Sequence, residues 1–474
     1  MRLTRRRALF GLAAALAAPG IARAESLSLS ASLRPPPRPP ALPGRLIASA
    51  DLGARISYAV LDAQTGALLE GRDAQRPAAP ASTLKTVTAL YALDRLGPER
   101  RFATRLLLAG DRLVLAGGGD PLLDTDHLAD LADAAAAAGL DAPAQFEVWG
   151  GALPAMHEIA PGQAPHLAYN PAISGMILNF NRVHFDWRRG NDGYRLGFEA
   201  RARRESPVAY TVRAETVGSG PVFDWRREGA REVWSVNRAS LGAAGSRWMP
   251  VRLPELYAGD VFQTLCRARG LALPTPQIAA SLPDGAREIA RIESPPLREI
   301  LAGMMNFSTN LTAEVAGLHA SGARDLAASA ADMQRWAHER GFDAMRFADH
   351  SGMSPSSRVS ARDMALLAVR ARPEDQIEGL MRDISPFDEN APLFADGLRI
   401  TAKSGTLNFV SNLAGFAEAP GRRKISFAIF VANEDRRAGT EGQEMPAGVA
   451  AWTGRARSLH QQLIAAWVQR YGAS

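Results

Sequence analysis

Strand-like segments lie at both ends of this 474-residue chain, and their separation constrains its fold more than any other feature. Near the N-terminus, strands are predicted at 56–63 and 67–70. Near the C-terminus, three more are predicted at 399–407, 410–418 and 424–433. We expect these strands to form one antiparallel sheet flanked by helices, which is an α/β fold of the mixed α+β type.

The region between the two groups of strands has a different character. Residues 103–283 contain short strand-like pieces, many arginines and tryptophans, and glycine-rich turns. They are predicted to be one or more β-rich domains, with a unit nested at about 165–250, inserted into a main domain of residues 45–102 and 284–474. A C-terminal helix at 458–471 carries an apolar stripe and is predicted to pack on the sheet.

The N-terminus has the pattern of an export signal. Residues 1–24 contain arginines and no acid, then an apolar run, and they end in the small-x-small sequence Ala22-Arg23-Ala24. This order is typical of a cleaved signal peptide, and both a twin-arginine signal and a general secretory signal fit it. Residues 25–44 are rich in proline and are predicted to be a stiff, extended spacer.

Composition excludes several classes of function. The formal net charge of +6 does not indicate a nucleic-acid partner, because the predicted signal peptide carries five of these charges. No later segment is apolar for long enough to predict a membrane span. The single cysteine, Cys266, excludes an internal disulfide and a site with several thiolate ligands, and it is predicted to be a small buried side chain on a helix.

The distribution of lysine indicates where an amine is needed. The chain has only three lysines, Lys85, Lys403 and Lys424, whereas its other 52 basic residues are arginines. A guanidinium does not deprotonate at usable pH, but a buried amine can become a base. Ser82 precedes the first lysine by three residues, and Ser404 directly follows the second. Lys85 with Ser82, and Lys403 with Ser404, are therefore the candidates for catalysis.

Ser82 and Lys85 have the spacing of a nucleophile and its base. Pro80 suits the start of a helix and Gly97 its end, so Ser82 is predicted near the N-terminus of a helix of about four turns. Residues three apart lie on one face of a helix. The unpaired backbone N–H groups at that end can hold an oxyanion.

Acyl transfer at an amide carbonyl also needs a proton shuttle, and two other segments can supply the groups that Ser82 and Lys85 lack. Residues 306–310 are predicted to connect two helices, where the Ser308 hydroxyl can pass a proton and the Asn310 amide can orient Lys85 or the substrate. A second amine, that of Lys403, would lower the pKa of Lys85 if the two lay close together.

These motifs occur in a fixed order: Ser82-x-x-Lys85, Ser308-x-Asn310 and Lys403-Ser404-Gly405. In this order they resemble the motifs of the penicillin-recognising serine acyl-transferases. The first interval spans 226 residues and the second 95. So long a first interval resembles the class C low-molecular-mass penicillin-binding proteins, the D-alanyl-D-alanine carboxypeptidase/endopeptidase family (peptidase family S13), which carry extra domains there. Segments 117–121, 306–314 and 349–352 also resemble that family.

The resemblance implies an antiparallel sheet with a helical subdomain, and it assigns roles to the first two motifs. It implies that Ser82 is acylated and that Lys85 is the general base. It also implies that Ser308 and Asn310 form the proton shuttle and the amide contact.

The third motif is implied to lie on a strand that faces the nucleophile. Lys403 and Ser404 would hold the terminal carboxylate of the substrate, and Gly405 and Thr406 would complete the substrate-binding strand. The backbone N–H groups of Ser82 and Thr406 would form the oxyanion hole.

Each motif alone also has an ordinary structural interpretation. Ser82 can be a helix cap with Lys85 as a solvated charge. Ser308 and Asn310 can form a local capping turn. Lys403 can protect the edge of a sheet.

Other segments do not support a different chemistry. Residues 117–121 are predicted to be a tight turn rather than a phosphate loop, because no Gly-Lys-Ser/Thr follows. His350 is predicted to be a surface residue rather than a catalytic base. Neither a GxSxG nor an HExxH motif is present, so a serine-histidine hydrolase and a zinc protease are unsupported.

The sequence therefore predicts a periplasmic serine-type D-Ala-D-Ala carboxypeptidase, DD-endopeptidase, or both, acting on peptidoglycan stem peptides. Such an enzyme is acylated by β-lactams and needs no metal or other cofactor. Peptidoglycan peptides are the expected partners, nucleic acid and a permanent membrane span are not expected, and the oligomeric state stays open. The alternatives are a β-lactamase, which would turn over β-lactams, and a non-catalytic peptidoglycan-binding scaffold, which would release no D-alanine.

Overall fold

The computed structural model describes residues 43–140, 142–385 and 397–472. The predicted signal peptide and nearly all of the predicted spacer lie outside these residues. Helix α1 (Pro43–Ser49) begins inside the range predicted as spacer, so regular structure starts slightly before the predicted boundary.

The N-terminal segment supplies a hairpin and the first long helix. After α1 come strands β1 (Arg55–Asp62), β2 (Leu68–Arg72) and β3 (Pro77–Ala78). A 3-10 turn at Ala81–Thr83 leads into helix α2 (Leu84–Leu96). The predicted helix is confirmed, although its first turn is wound more tightly than an α-helix.

The next segment is mainly β-structure, as predicted. Its elements are β4 (Ala103–Ala109), β5 (Arg112–Ala116), α3 (Thr125–Ala137), β6 (Gln145–Trp149), β7 (Arg182–Gly190), β8 (Gly193–Glu199), β9 (Val212–Val217), β10 (Phe223–Glu228), β11 (Arg231–Asn237), β12 (Ala244–Pro250), α4 (Pro254–Ala268), β13 (Gln277–Ile278) and β14 (Arg287–Glu293). One sheet has the order β13-β6-β5-β4-β14. Because β14 pairs antiparallel with β4, this sheet extends one strand beyond the boundary predicted at residue 283.

Two smaller sheets, β12-β7-β8 and β10-β11-β9, lie within the range predicted for a nested unit, 165–250. They pack against α3 and α4 in a single apolar core. Cys266 is buried on α4, as predicted, and burial raises the pKa of its thiol to about 12. Such a thiol stays protonated and unreactive.

The C-terminal segment is helical first and then returns to strands. Its elements are α5 (Leu297–Phe307), α6 (Asn310–Ser321), α7 (Leu326–His338), β15 (Val359–Ser360), α8 (Ala361–Val369), α9 (Ile377–Leu380), β16 (Arg382–Ile384), β17 (Arg399–Leu407), β18 (Val410–Glu418), β19 (Ile425–Ala432), α10 (Glu434–Ala438) and α11 (Val449–Tyr471). The three long strands lie where the sequence predicted them.

The main sheet joins the two ends of the chain, as predicted. Its order in the described residues is β16-β17-β18-β19-β1-β2, and every neighbouring pair is antiparallel. Between β1 and β19, the pair that joins the two ends of the chain, Arg55 lies opposite Ala432 and Asp62 opposite Ile425. Strand β1 is buried along nearly its whole length, because layers of helices cover both faces of the sheet.

Helix α11 covers one face of the sheet. The predicted stripe of Leu459, Leu463 and Trp467 is buried against β1, β18 and β19, which confirms the predicted packing. The helix is longer than predicted, because it begins at Val449. Neither α11 nor any other helix within the described ranges is both long and apolar enough to cross a membrane.

Helices α2, α5, α7 and α8 cover the opposite face and form the helical layer. Helix α2 lies at its centre, between the sheet and helices α5 and α6. Its ten consecutive residues from Leu84 to Leu93 are all buried. The start of α2 is therefore fixed from all sides, which positions the first motif rigidly.

Candidate active site

Ser82 lies where the 3-10 turn passes into α2, and its side chain is partly exposed. Ala81 just before it has a φ of 48°, in the left-handed region that few non-glycine residues adopt. Lys85 follows one turn later and is fully buried. Its Nζ donates a hydrogen bond of 2.9 Å to Ser82 Oγ. The structure thus places the predicted hydroxyl and amine in direct contact.

Two further acceptors hold the amine of Lys85. Its Nζ donates to Oδ1 of Asn310 over 2.9 Å and to the carbonyl oxygen of Ser351 over 2.8 Å. Burial lowers the pKa of Lys85 to about 8, although the negative charges of Glu314 and Asp349 oppose this shift. An amine with such a pKa can accept a proton close to neutral pH.

Ser308 and Lys403 form a second hydroxyl–amine pair. Ser308 ends α5 in the left-handed conformation, with φ 58° and ψ 37°, and so turns the chain toward α6. Lys403 Nζ donates to Ser308 Oγ over 2.9 Å and to the carbonyl oxygen of Ser404 over 2.7 Å. Burial lowers the pKa of Lys403 well below its ordinary value, and the nearby charge of Lys85 lowers it further. The side chain of Lys403 is buried, so Lys403 is not a solvated charge that protects a sheet edge.

Strand β17 passes directly over the turn that carries Ser82. A Cβ at Gly405 would lie 2.9 Å from the Ser82 nitrogen and 2.9 Å from the Pro80 carbonyl oxygen, so a side chain does not fit there. Opposite Gly405, Asn412 on β18 donates to the carbonyl oxygens of Ala79 and Pro80 over 2.8 and 3.0 Å. These bonds fix the turn to the sheet.

Ser404 and Thr406 flank Gly405 on β17. Ser404 is partly exposed and Thr406 is exposed, so this stretch of β17 is accessible beside Ser82. The structure therefore gathers all the predicted site residues around one position: Ser82, Lys85, Ser308, Asn310, Lys403, Ser404, Gly405 and Thr406.

The prediction that His350 is a surface residue is wrong. Its ring is fully buried, with Nε2 2.7 Å from Ser329 Oγ and Nδ1 3.3 Å from Met333 Sδ on α7. Gly317 on α6 makes room for the ring, since a Cβ there would lie 2.3 Å from it. Burial lowers the pKa of His350 to about 3, so the imidazole is neutral and serves packing rather than base catalysis.

Backbone carbonyls make contacts in this site that the sequence did not reveal. The carbonyl of Ser351 holds the buried amine, and the carbonyl of Tyr169 accepts a hydrogen bond of 3.1 Å from Asn310 Nδ2. Met353 Sδ lies 2.8 Å from the same nitrogen. Tyr169 belongs to the region predicted to be inserted, which therefore reaches the site. A backbone acceptor carries no residue-type signal, so no sequence motif identifies these contacts.

The arrangement is suited to acyl transfer through a covalent intermediate. It combines a partly exposed hydroxyl, a buried amine beside it, and a second hydroxyl–amine pair next to both. Over the ranges that the structure describes, no three His, Cys, Asp or Glu side chains are grouped to hold a metal ion.

Comparisons with known proteins agree with this arrangement. The family model of the D-Ala-D-Ala carboxypeptidase 3 (S13) family matches residues 44–453. A carboxypeptidase of Mycobacterium tuberculosis is 28% identical over 456 residues, which cover 84% of this chain and 85% of the relative. A D-alanyl-D-alanine carboxypeptidase of an Actinomadura species is 25% identical over 427 residues, covering 80% of this chain and 77% of the relative.

Among solved structures, penicillin-binding protein 4 of Haemophilus influenzae has the same fold. It superimposes with a TM-score of 0.71 at 18% identity, covering 90% of this chain and 99% of the other. Since the family model spans most of the chain, the resemblance drawn from three short motifs is confirmed. This chain belongs to the D-Ala-D-Ala carboxypeptidase 3 (S13) family of serine peptidases.

Proposed function

We propose that this protein is a serine DD-peptidase that removes the terminal D-alanine of peptidoglycan stem peptides, cleaves their cross-links, or does both. One observation carries the proposal: two of the three lysines in the chain are buried, each against a serine hydroxyl. Lys85 Nζ lies 2.9 Å from Ser82 Oγ, and Lys403 Nζ lies 2.9 Å from Ser308 Oγ. Membership of the S13 family supports the substrate class.

In the proposed acylation step, Lys85 in its neutral form takes the proton of the Ser82 hydroxyl. Ser82 Oγ then attacks the carbonyl carbon before the scissile amide, and the carbonyl oxygen becomes an oxyanion. The proposed donors to this oxyanion are the backbone N–H groups of Ser82 and Thr406. Gly405, which has no side chain, leaves room between β17 and the Ser82 turn.

In the next proposed step the C–N bond breaks and the leaving amine receives a proton from the Ser308 hydroxyl. Lys403 holds that hydroxyl, and together with Ser404 it binds the terminal carboxylate of the substrate. The proton taken from Ser82 replaces the one that Ser308 gave up. Water then attacks the ester with Lys85 again as base, which releases the shortened peptide and restores the Ser82 hydroxyl.

We further propose that residues 1–24 direct export to the periplasm, where peptidoglycan is accessible. The main domain would comprise residues 45–102 and, because β14 pairs with β4, the part from α5 onward, with the β-rich segment inserted between them. The hydrogen bond from Asn310 to the Tyr169 carbonyl supports a role of the inserted region in shaping the cleft.

Mass spectrometry after incubation with a penicillin tests the proposed nucleophile. We expect one penicilloyl group on the peptide that contains Ser82, and none in Ser82→Ala, because the attacking oxygen is then missing. An adduct on another residue, or D-alanine release by Ser82→Ala at the wild-type rate, would contradict the proposal.

The pH dependence of acylation tests the proposed base. Burial lowers the pKa of Lys85 to about 8, and the amine must be neutral to accept a proton. The rate is therefore expected to rise with pH through about 8 and to be roughly tenfold lower at pH 7 than at pH 9. The measurement is the second-order rate constant of acylation by a fluorescent penicillin between about pH 6 and 10. A rate that is independent of pH over this range would exclude Lys85 as the titrating base.

Product analysis separates the proposal from its alternatives. A DD-peptidase keeps its β-lactam adduct and releases D-alanine or cleaves cross-linked muropeptides, whereas a β-lactamase turns the β-lactam over rapidly. Glu314 is fully buried with both carboxylate oxygens held by backbone N–H groups, so it is not placed to activate a hydrolytic water. A peptidoglycan-binding scaffold would bind sacculi equally well after Lys85→Ala and release no product. Digestion of monomeric and cross-linked muropeptides also distinguishes carboxypeptidase from endopeptidase activity.

A further inference from the structure

A buried carboxylate lies beneath the site on the same helix as Asn310. Glu314 follows Asn310 by one turn of α6, and its side chain is fully buried. Its Oε2 accepts a hydrogen bond of 3.0 Å from the backbone N–H of His350, and its Oε1 accepts one of 2.9 Å from that of Ser351. One carboxylate thus holds two consecutive peptide groups of the loop that follows α7.

The same loop contacts the buried amine of the site. The carbonyl oxygen of Ser351 accepts a hydrogen bond of 2.8 Å from Lys85 Nζ. Asn310 binds this amine directly, whereas Glu314 reaches it through the backbone of Ser351. Helix α6 therefore supports Lys85 at two points that lie one turn apart.

The loop is anchored elsewhere too, so Glu314 is not needed merely to keep it in place. Thr88 Oγ1 on α2 donates to the carbonyl oxygen of His350 over 2.7 Å. Asp349 accepts from the backbone N–H of Ser354 over 2.8 Å and from Ser357 Oγ over 2.7 Å. What Glu314 adds is a hold on the N–H groups of His350 and Ser351, directly before the carbonyl that binds the amine, and a negative charge beside that amine.

The charged groups that face Lys85 come from three elements: Glu314 on α6, Asp349 on the loop and Lys403 on β17. The neighbouring His350 is neutral because burial lowers its pKa to about 3. Burial, with the charge of Asp349 beside it, raises the pKa of Glu314 to about 7. An ionised Glu314 favours the protonated form of Lys85.

We propose that Glu314 is a positioning residue for Lys85, which orients the Ser351 carbonyl toward the amine and sets how readily the amine gives up its proton. Glu314 does not contact the substrate or Ser82, and it acts only through Lys85 and the loop. The inference rests on the proposed function, because it assumes that Lys85 is the base that activates Ser82.

Glu314→Gln separates the charge from the shape of this side chain. The amide keeps the volume and one acceptor but removes the negative charge that stabilises protonated Lys85. The acid limb is the part of the pH profile in which the acylation rate rises as Lys85 loses its proton. We expect its midpoint to shift to a pH about one unit lower. The pH-independent rate is expected to fall about 10-fold, because the amide nitrogen now faces a backbone N–H and displaces the Ser351 peptide.

Glu314→Asp makes the opposite change. The aspartate keeps the charge but is shorter by one methylene, so it cannot hold both backbone N–H groups at their present distances. We expect the acid limb to stay where it is in the wild type, whereas the rate falls about 10-fold. If Glu314→Gln does not fold, Glu314→Asp still tests whether Glu314 positions the loop and Lys85.

Glu232 in the β-rich segment provides a matched control. It too is fully buried, and its Oε1 accepts hydrogen bonds from the backbone N–H groups of Arg252 and Leu253 over 2.9 and 2.8 Å. Burial raises its pKa to about 7 as well. Glu232→Gln therefore removes an equivalent buried carboxylate away from Lys85, and we expect thermal stability to fall while the acid limb stays in place.

The measurement is the rate of acylation by a fluorescent penicillin against pH for the wild type and the three variants, after thermal unfolding has shown which are folded. An unmoved acid limb in folded Glu314→Gln, an equal shift in Glu232→Gln, or a wild-type rate in Glu314→Asp would overturn the inference. If the wild type itself is not acylated, the proposed function fails instead, so the two failures are distinguishable.

Discussion

Replacing Lys85 by arginine is expected to slow acylation of Ser82 by about 1000-fold, although the positive charge is kept. The arginine stays protonated at every usable pH and so cannot take the Ser82 proton. Lys85 is also fully buried, and its Nζ meets three acceptors that suit a compact ammonium group rather than a planar guanidinium. The measurement is the acylation rate with a fluorescent penicillin at about pH 9, where the wild-type amine is mostly neutral.

The third lysine of the chain provides the matched control. Lys424 is partly exposed and forms an ion pair of 2.6 Å with Glu378 rather than a hydrogen bond to a site hydroxyl. Arginine can keep such a pair, so Lys424→Arg is expected to change the acylation rate by less than about twofold. A Lys85→Arg variant that keeps more than about a tenth of the wild-type rate would show that no proton is transferred to this side chain.

The main sheet and the site were predictable because both leave local signals. Alternation of apolar and polar residues over a few positions locates β1, β17, β18 and β19. The scarcity of lysine and the serines beside them then separate Lys85 and Lys403 from ordinary surface charges, since the chain otherwise uses arginine except at Lys424. Lys85 and Lys403 are buried beside Ser82 and Ser308, whereas Lys424 is partly exposed in an ion pair with Glu378.

What the sequence did not reveal depends on contacts between distant segments. Strand β14 belongs to the β-rich segment only because it pairs with β4, which lies nearly two hundred residues away. His350 is buried because Gly317 on another helix leaves space for its ring. The Ser351 carbonyl binds Lys85 through a group that all residues possess, so its role appears only when the loop is seen packed against α2.

Gly352 is the position where that loop packs against the turn that carries the nucleophile, and Gly352→Ala is expected to disturb both. A Cβ there would lie 1.9 Å from the carbonyl oxygen of Ala81, and the backbone φ of +81° is unfavourable for any other residue. Ala81 directly precedes Ser82, and Ser351 next to the glycine holds Lys85. The loop or the turn must therefore move, and the nucleophile and its base separate. We expect acylation to fall about 100-fold and the free energy of unfolding to drop by about 3 kcal/mol.

Gly341 separates the effect of the positive φ from the effect of the clash with Ala81. Its φ of +80° is nearly the same, but a Cβ there would meet nothing within 4 Å. Gly341→Ala carries the backbone strain without the clash, so it is expected to lower the free energy of unfolding by about 1 kcal/mol and to leave acylation unchanged. Denaturant unfolding and acylation rates of the two variants then isolate the cost of the contact with Ala81. If both variants lost equal stability and Gly352→Ala were still acylated at the wild-type rate, the loop would not press on the Ser82 turn. The rigid placement of Lys85 beside Ser82 would then need another source.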